Sequence, residues 1–122
     1  MYLKNYEEVK QALNEINAEN YTDFLLLAVD AGPIQKIFIQ RLTREINGKA
    51  VDFLSIRDVI INPDERGKQI FSNILDMLEK KQIPIMIDDI INDKLDSHLM
   101  KNGYISYNHL KNGIKTRSRY KL

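Results

Sequence analysis

The sequence predicts an α/β fold, a mixed sheet with helices packed on it. Short aliphatic and β-branched runs, sized for buried strands, alternate with segments of helical period. Strand–helix–strand passages occur at 51–87 and again from 83 onward, and an Asn-Gly pair divides two β-rich runs near the C-terminus.

The elements follow in order. Asn5 can cap a helix, with Glu8 three residues on, and Val9, Ala12, Leu13 and Ile16 then fall at helical spacing, so 5–18 reads as an amphipathic helix. Phe24 to Val29 is short and apolar, a buried strand. Ala31-Gly-Pro33 breaks it, and Pro33 suits a first helical turn. Ile34, Ile37, Phe38, Leu42 and Ile46 fall at i, i+3, i+4, i+8 and i+12, which predicts a helix stopped by Gly48; Ile37-Phe-Ile39 taken alone also fits a strand.

Val51 to Ile61 reads as a strand interrupted at Arg57-Asp58, where a bulge is expected. Asn62-Pro-Asp64 turns the chain. Ile70, Phe71, Ile74, Leu75 and Leu78 mark a helix ending near Lys81, and Ile83 to Ile87 a further strand. Asn92-Asp93 can cap a helix carrying Leu95 and Leu99 that ends at Gly103. Tyr104 to Leu110, Lys111-Asn-Gly113 and Ile114 to Tyr120 read as a β-hairpin.

A chain of 122 residues predicts a single domain, 1–122. Hydrophobic residues at 43% and charged residues at 29% place it among ordinary globular proteins. A net charge of +1 gives no bulk argument for nucleic acid or membrane, and no apolar run is long enough to span one. Absence of cysteine removes disulfides, thiolate metal sites and a cysteine nucleophile. Two isolated histidines and scattered carboxylates lack ligand spacing, so no metal is expected. Met1 to Ala18 is charged and amphipathic rather than leader-like, which with the missing cysteines suggests a cytoplasmic setting.

The stretch from Val59 to Phe71 carries the chemistry. A strand ends, a turn follows, and a helix opens with Arg66, Gly67 and Lys68 in its first turn. Unpartnered N–H groups and the macrodipole favour an anion there, Gly67 admits close approach to the backbone, and the two cations add charge. The bland alternative is an ordinary strand–helix turn with solvated basic residues. The spacing is neither that of a P-loop nor that of a dinucleotide fingerprint.

This segment resembles the GNAT superfamily of N-acetyltransferases, in which a strand and a Pro-containing turn precede Arg-Gly-Lys-Gly-x-Gly at the start of a helix. Pro63, Arg66, Gly67 and Lys68 match. The strand at Ile83 to Ile87, then Asn92, then Gly103-Tyr104 in place of Gly-Phe, extend the resemblance over 51–104. It implies a GNAT-like fold with a C-terminal β-hairpin and acetyl-CoA as co-substrate. By the same resemblance, Val59, Ile60 and Ile61 would meet the pantetheine arm and thioester. Arg66, Gly67, Lys68, Gln69, Ile70 and Phe71 would hold the pyrophosphate, and Asn92 would lie beside the coenzyme. Gln69 and Phe71 stand where the family has its second and third loop glycines, and Leu99 where many members have a tyrosine acid. Asp58 is then the candidate base, with Asp88 or Asp89 as further candidates, and His98 the candidate acid; Asp88-Asp89 and His98 also fit plain surface or strand-end roles. Low glycine and many Ile, Asn and Lys give the chain a phage-like or bacterial character.

From Lys101 onward there are six Lys/Arg and no acid, whereas the rest holds 12 basic and 17 acidic residues. Lys115, Arg117, Arg119 and Lys121 alternate, which puts four cations on one strand face. They offer a surface for an acidic partner, or they protect a terminal edge strand. Two functions therefore compete: an acetyl-CoA-dependent transferase acting on an unknown amine acceptor, and an inactive GNAT-like module that binds protein or nucleic acid. A third reading is an unrelated anion-binding βαβ domain, which an intact strand pair after Val59 would favour. An exposed terminal strand would also offer an edge for a homodimer.

Overall fold

The computed structural model describes residues 2–3, 6–17, 24–28, 34–61 and 70–122. In chain order the described elements are β1 (Tyr2–Leu3), α1 (Tyr6–Asn14), β2 (Phe24–Ala28), β3 (Ile34–Ile46), β4 (Lys49–Ile61), α2 (Ile70–Glu79), β5 (Ile85–Ile87), α3 (Asp93–Lys101), β6 (Ile105–Lys111) and β7 (Ile114–Lys121). The strands form one mixed sheet in the order β1-β2-β3-β4-β5-β7-β6. β4 and β5 run parallel, joined through α2, while β2-β3, β3-β4, β5-β7 and β6-β7 are antiparallel. The α/β expectation thus holds as a mixed sheet with three described helices.

One element is corrected. Residues 34–46 form the long strand β3, not a helix. Ile37 and Ile39 point into the core under the helices, while Phe38, Leu42 and Ile46 lie on the opposite face. Apolar side chains on both faces imitate a helical stripe. Asn47-Gly48 is not a helix stop but the tip of the β3–β4 hairpin. Its φ values of 52° and 82° repeat those of Asn112 (53°) and Gly113 (78°) in the β6–β7 hairpin, the left-handed pair that a two-residue turn requires. β1 was not foreseen, and α1 is shorter than 5–18.

The main core lies between the helices and one sheet face. Val9 and Leu13 of α1, Ile74, Leu75 and Leu78 of α2, and Leu99 of α3 meet Leu54, Ile56, Ile85 and Ile87. A smaller cluster on the other face joins Ile46, Phe53, Met86 and Tyr120. Tyr120 meets Phe53 and Tyr107 edge to face. That second face is concave. Arg44 of β3 lies over the ring of Tyr107 on β6 at 5.2 Å, although four strand steps of ~4.8 Å would hold the two strands ~19 Å apart in a flat sheet.

Candidate functional site

The β4–β5 pair opens. Its ladder pairs Leu54 with Ile85, Ser55 with Met86 and Ile56 with Ile87, and closes with the Asp88 N–H donating to the Ile56 carbonyl at 3.0 Å. β4 then continues to Ile61 against β3. The chain leaving β5 turns the other way. Asp89 takes φ 53°, the Ile90 N–H donates to the Arg117 carbonyl at 2.8 Å, and Arg117 Nε returns a bond to the Ile90 carbonyl at 3.2 Å. Two parallel strands therefore part after Ile56 and Ile87.

A bulge sits at the same place. Phe38 faces Arg57 and Lys36 faces Ile60, so two steps of β3 span three of β4, with Asp58 and Val59 in the bulge. The predicted interruption at Arg57-Asp58 is thus one residue out. Among the described residues, the ladder between β4 and β5 ends at this gap. The gap is at the carboxyl ends of two parallel strands, where open α/β sheets bind ligands. Ile91, 93% exposed, stands just beyond the point where the chain leaves β5.

Of the residues assigned to the coenzyme, Val59, Ile60 and Ile61 form the end of β4. Arg66, Gly67, Lys68 and Gln69 lie outside the described residues, as does the side chain of Asp58. In sequence they precede Ile70, the first residue of α2. Ile70 and Phe71 pack partly buried against the main core, which explains an aromatic side chain there. Asn92 caps α3: its side-chain oxygen accepts from the N–H of Lys94 at 2.8 Å and of Leu95 at 3.3 Å. His98 is exposed on α3, whereas Leu99 is fully buried in the core.

A polar cluster that the sequence did not reveal lies beside the opening. Asp88 is 6% exposed. Its carboxylate accepts from Ser55 Oγ of β4 at 2.7 Å, from Ser118 Oγ of β7 at 2.8 Å and from Arg44 Nη2 of β3 at 3.3 Å. Both serines are fully buried. Asp88 therefore fastens three strands at the point where β5 ends, and these contacts engage both carboxylate oxygens. It is a pin, not an available base.

The basic tail is also engaged. β7 lies between β5 and β6, so edge protection does not explain its cations. Arg119 binds Asp96 through Nε at 2.6 Å and the Tyr104 carbonyl at 3.0 Å. Arg117 reaches Asp93 at 3.0 Å, and Lys121 reaches the Asn102 carbonyl at 3.0 Å. These contacts bind α3 to β7. The hydrogen bond from Arg119 holds the Asp96 carboxyl below the usual range; burial opposes it, and the charges of Arg119 and Arg117 add to the lowering. Lys115 is exposed.

A groove of about 470 Å³ runs along α2, lined by Asn14, Asn73, Asp76, Met77, Lys80 and Lys81. Lys81 Nζ donates to the carbonyls of Asn14 and Ile16, both at 2.8 Å, and so caps the end of α1. Among the described residues no group of three or more His, Cys, Asp or Glu is placed to hold a metal ion, and no described helix is long and apolar enough to cross a membrane. No protein-family model matches the chain, and no curated protein matches it.

Proposed function

We propose that the chain is an acyl-CoA-dependent N-acyltransferase of GNAT type, taking acetyl-CoA as co-substrate and an amine as acceptor. The observation that carries this reading is the parted β4–β5 pair with its bulge at Asp58-Val59, followed in the chain by Arg66-Gly67-Lys68 before α2. An unrelated βαβ domain gives no reason for that parting. In this reading the backbone of β4 beyond Ile56 pairs with the amides of the pantetheine arm. N–H groups at the start of α2, with Arg66 and Lys68, hold the pyrophosphate.

The chemistry is direct transfer. The acceptor nitrogen attacks the thioester carbonyl, the carbon–sulfur bond breaks, the nitrogen loses a proton and the thiolate gains one. An amine with a pKa of about 10 needs a base at neutral pH. Asp88 is committed to Arg44, Ser55 and Ser118, which leaves Asp58, at the bulge, Asp89, or a water as the base. A thiol titrating near ~8.5 is a fair leaving group without a strong acid, so Leu99 in the family's tyrosine position does not preclude transfer. The competing reading, a binding module for an acidic partner at Lys115, Arg117, Arg119 and Lys121, is weakened because the last three are held within the chain.

Calorimetric titration with acetyl-CoA tests the proposal. Saturable binding that Arg66→Ala weakens supports it. Absence of heat at millimolar coenzyme overturns it.

A further inference from the structure

We infer that the chain forms a two-fold dimer by pairing β6 antiparallel with β6 of a second copy, in the register that sets Asn108 opposite Asn108. The inference stands on the edge of the sheet and is independent of the acyltransferase reading.

Among the described strands the sheet has two edges, β1 and β6. β1 has two residues, too short to template another strand. β6 has seven, and it lacks the devices that blunt an edge. No proline interrupts it, its register with β7 runs unbroken from Ile105 to Lys111, and Lys111 is its only Lys, Arg, Asp or Glu. The turn fixes which backbone groups face out. In a two-residue hairpin the residues flanking the turn, Lys111 and Ile114, exchange backbone hydrogen bonds, and such pairs recur at every second position. The Tyr107 backbone therefore bonds that of Ser118, whereas Ser106, Asn108 and Leu110 turn their N–H and C=O away from β7. All three residues are exposed, Leu110 at 73%.

An edge of this kind accepts any extended peptide; the side chains select a second copy. About the Asn108 two-fold, Ser106 stands opposite Leu110 of the other copy, and the outward pairs supply about six hydrogen bonds. Ser106, Asn108 and Leu110 lie on the helix side of the sheet, where Arg117 and Arg119, the β7 mates of Asn108 and Ser106, reach α3. Met100, 55% exposed, shares with Asp93 and Asp96 the stripe of α3 that turns to β7. Asp96 meets Arg119 and the Asn102 carbonyl meets Lys121, so Met100 stands level with the start of β6 at Ser106. The exposed Leu110 of one copy thus falls over the small Ser106 and toward Met100 of the other, twice by symmetry. On the concave side the two-fold carries Ile105, 54% exposed, to the other copy's hairpin tip, where Ile114 is 68% exposed. Charge permits the register, since Lys111 takes Ile105 and not another cation as its mate. A standard stable interface buries ~800 Å² on each partner from about 20–30 residues. β6 with Met100 and Ile114 supplies roughly a third to a half of that, which places the dimer in the weak, micromolar class.

Sedimentation velocity over a concentration series, with cysteine variants of this cysteine-free chain, tests the dimer and its register. Expected is a monomer–dimer equilibrium with Kd between about 1 and 100 μM, weakened at least ~tenfold by Asn108→Pro. The Asn108 N–H faces away from β7, so proline there spares the β6–β7 ladder, and a cooperative urea transition checks that the variant folds. On mild oxidation Asn108→Cys should form a disulfide-linked dimer, because a hydrogen-bonded antiparallel pair brings its Cα atoms to ~5.5 Å, within disulfide reach. Ser106→Cys alone should not, its two copies lying ~14 Å apart along the strands, but it should cross-link when mixed with Leu110→Cys. A monomer at ~500 μM overturns the proposal, whether or not an unrelated extended peptide adds to β6. A dimer that a folded Asn108→Pro leaves intact overturns it too, as does cross-linking of Ser106→Cys alone as fast as that of Asn108→Cys.

Discussion

Replacing Asp88 by alanine should be among the most damaging single changes to stability. The carboxylate is 4% exposed at its side chain and the Arg44 side chain 15%, so removing one leaves the other charged and largely out of water. Ser55 and Ser118, fully buried, lose their acceptor at the same time. Breaking a buried pair from one side costs ~3–5 kcal/mol, against a total stability of ~5–15 kcal/mol for a domain. With a urea slope of roughly 1.5–2 kcal/mol per M for a chain of this size, the midpoint should fall by about 2 M. Adding Arg44→Met removes the stranded cation, so the double variant should recover part of the loss and the two costs should couple by more than ~1 kcal/mol. Urea titration followed by circular dichroism reads both quantities. A midpoint drop below about 0.5 M, or costs that simply add, would refute the three-strand pin.

Three further outcomes follow from local geometry. Gly48→Ala and Gly113→Ala should each cost ~1–2 kcal/mol in urea titration, because the positions have φ of 82° and 78° and a Cβ there meets nothing within 4 Å, leaving backbone strain as the only cost. Tyr104→Phe should cost ~1 kcal/mol, since the phenol donates to Glu79 at 2.7 Å; burial, then Glu79, pushes the Tyr104 pKa well up, so ultraviolet titration should find this tyrosine silent where an exposed one ionises. Asp96 is held below the ordinary 3.8, chiefly by its hydrogen bond from Arg119. Its contribution is therefore present above about 3.8 and lost as pH falls through the lower folded value, and Asp96→Asn should flatten that acid limb in urea midpoints measured across it.

Local rules made much of the fold legible. Asn92 three residues before Leu95 announced α3, Asn112-Gly113 announced the terminal hairpin, and the apolar run at Ile83 to Ile87 announced β5. β3 was misread because a strand covered on both faces loses its alternation, and Phe38, Leu42 and Ile46 fill the helical spacing. Asn47-Gly48 has the same chemistry as Asn112-Gly113, but the false helix before it hid the hairpin. The cations of β7 read as a free strip because Asp93 and Asp96, their partners, lie more than twenty residues away in sequence. Asp88 looked like a strand-end acid because Ser55, Ser118 and Arg44 reach it only through the sheet order. Separation in sequence, not weak patterning, hid this part of the site.

The central claim is that the gap where β4 leaves β5 receives an extended coenzyme. Titrating isotope-labelled protein with coenzyme A and following the backbone amides by NMR tests it most directly. The account predicts saturable shifts concentrated at 57–61, at 88–92 and in the first turn of α2, with β6 and the α1–α2 groove unmoved. Shifts confined to β6 or that groove, or none at millimolar coenzyme, would contradict it.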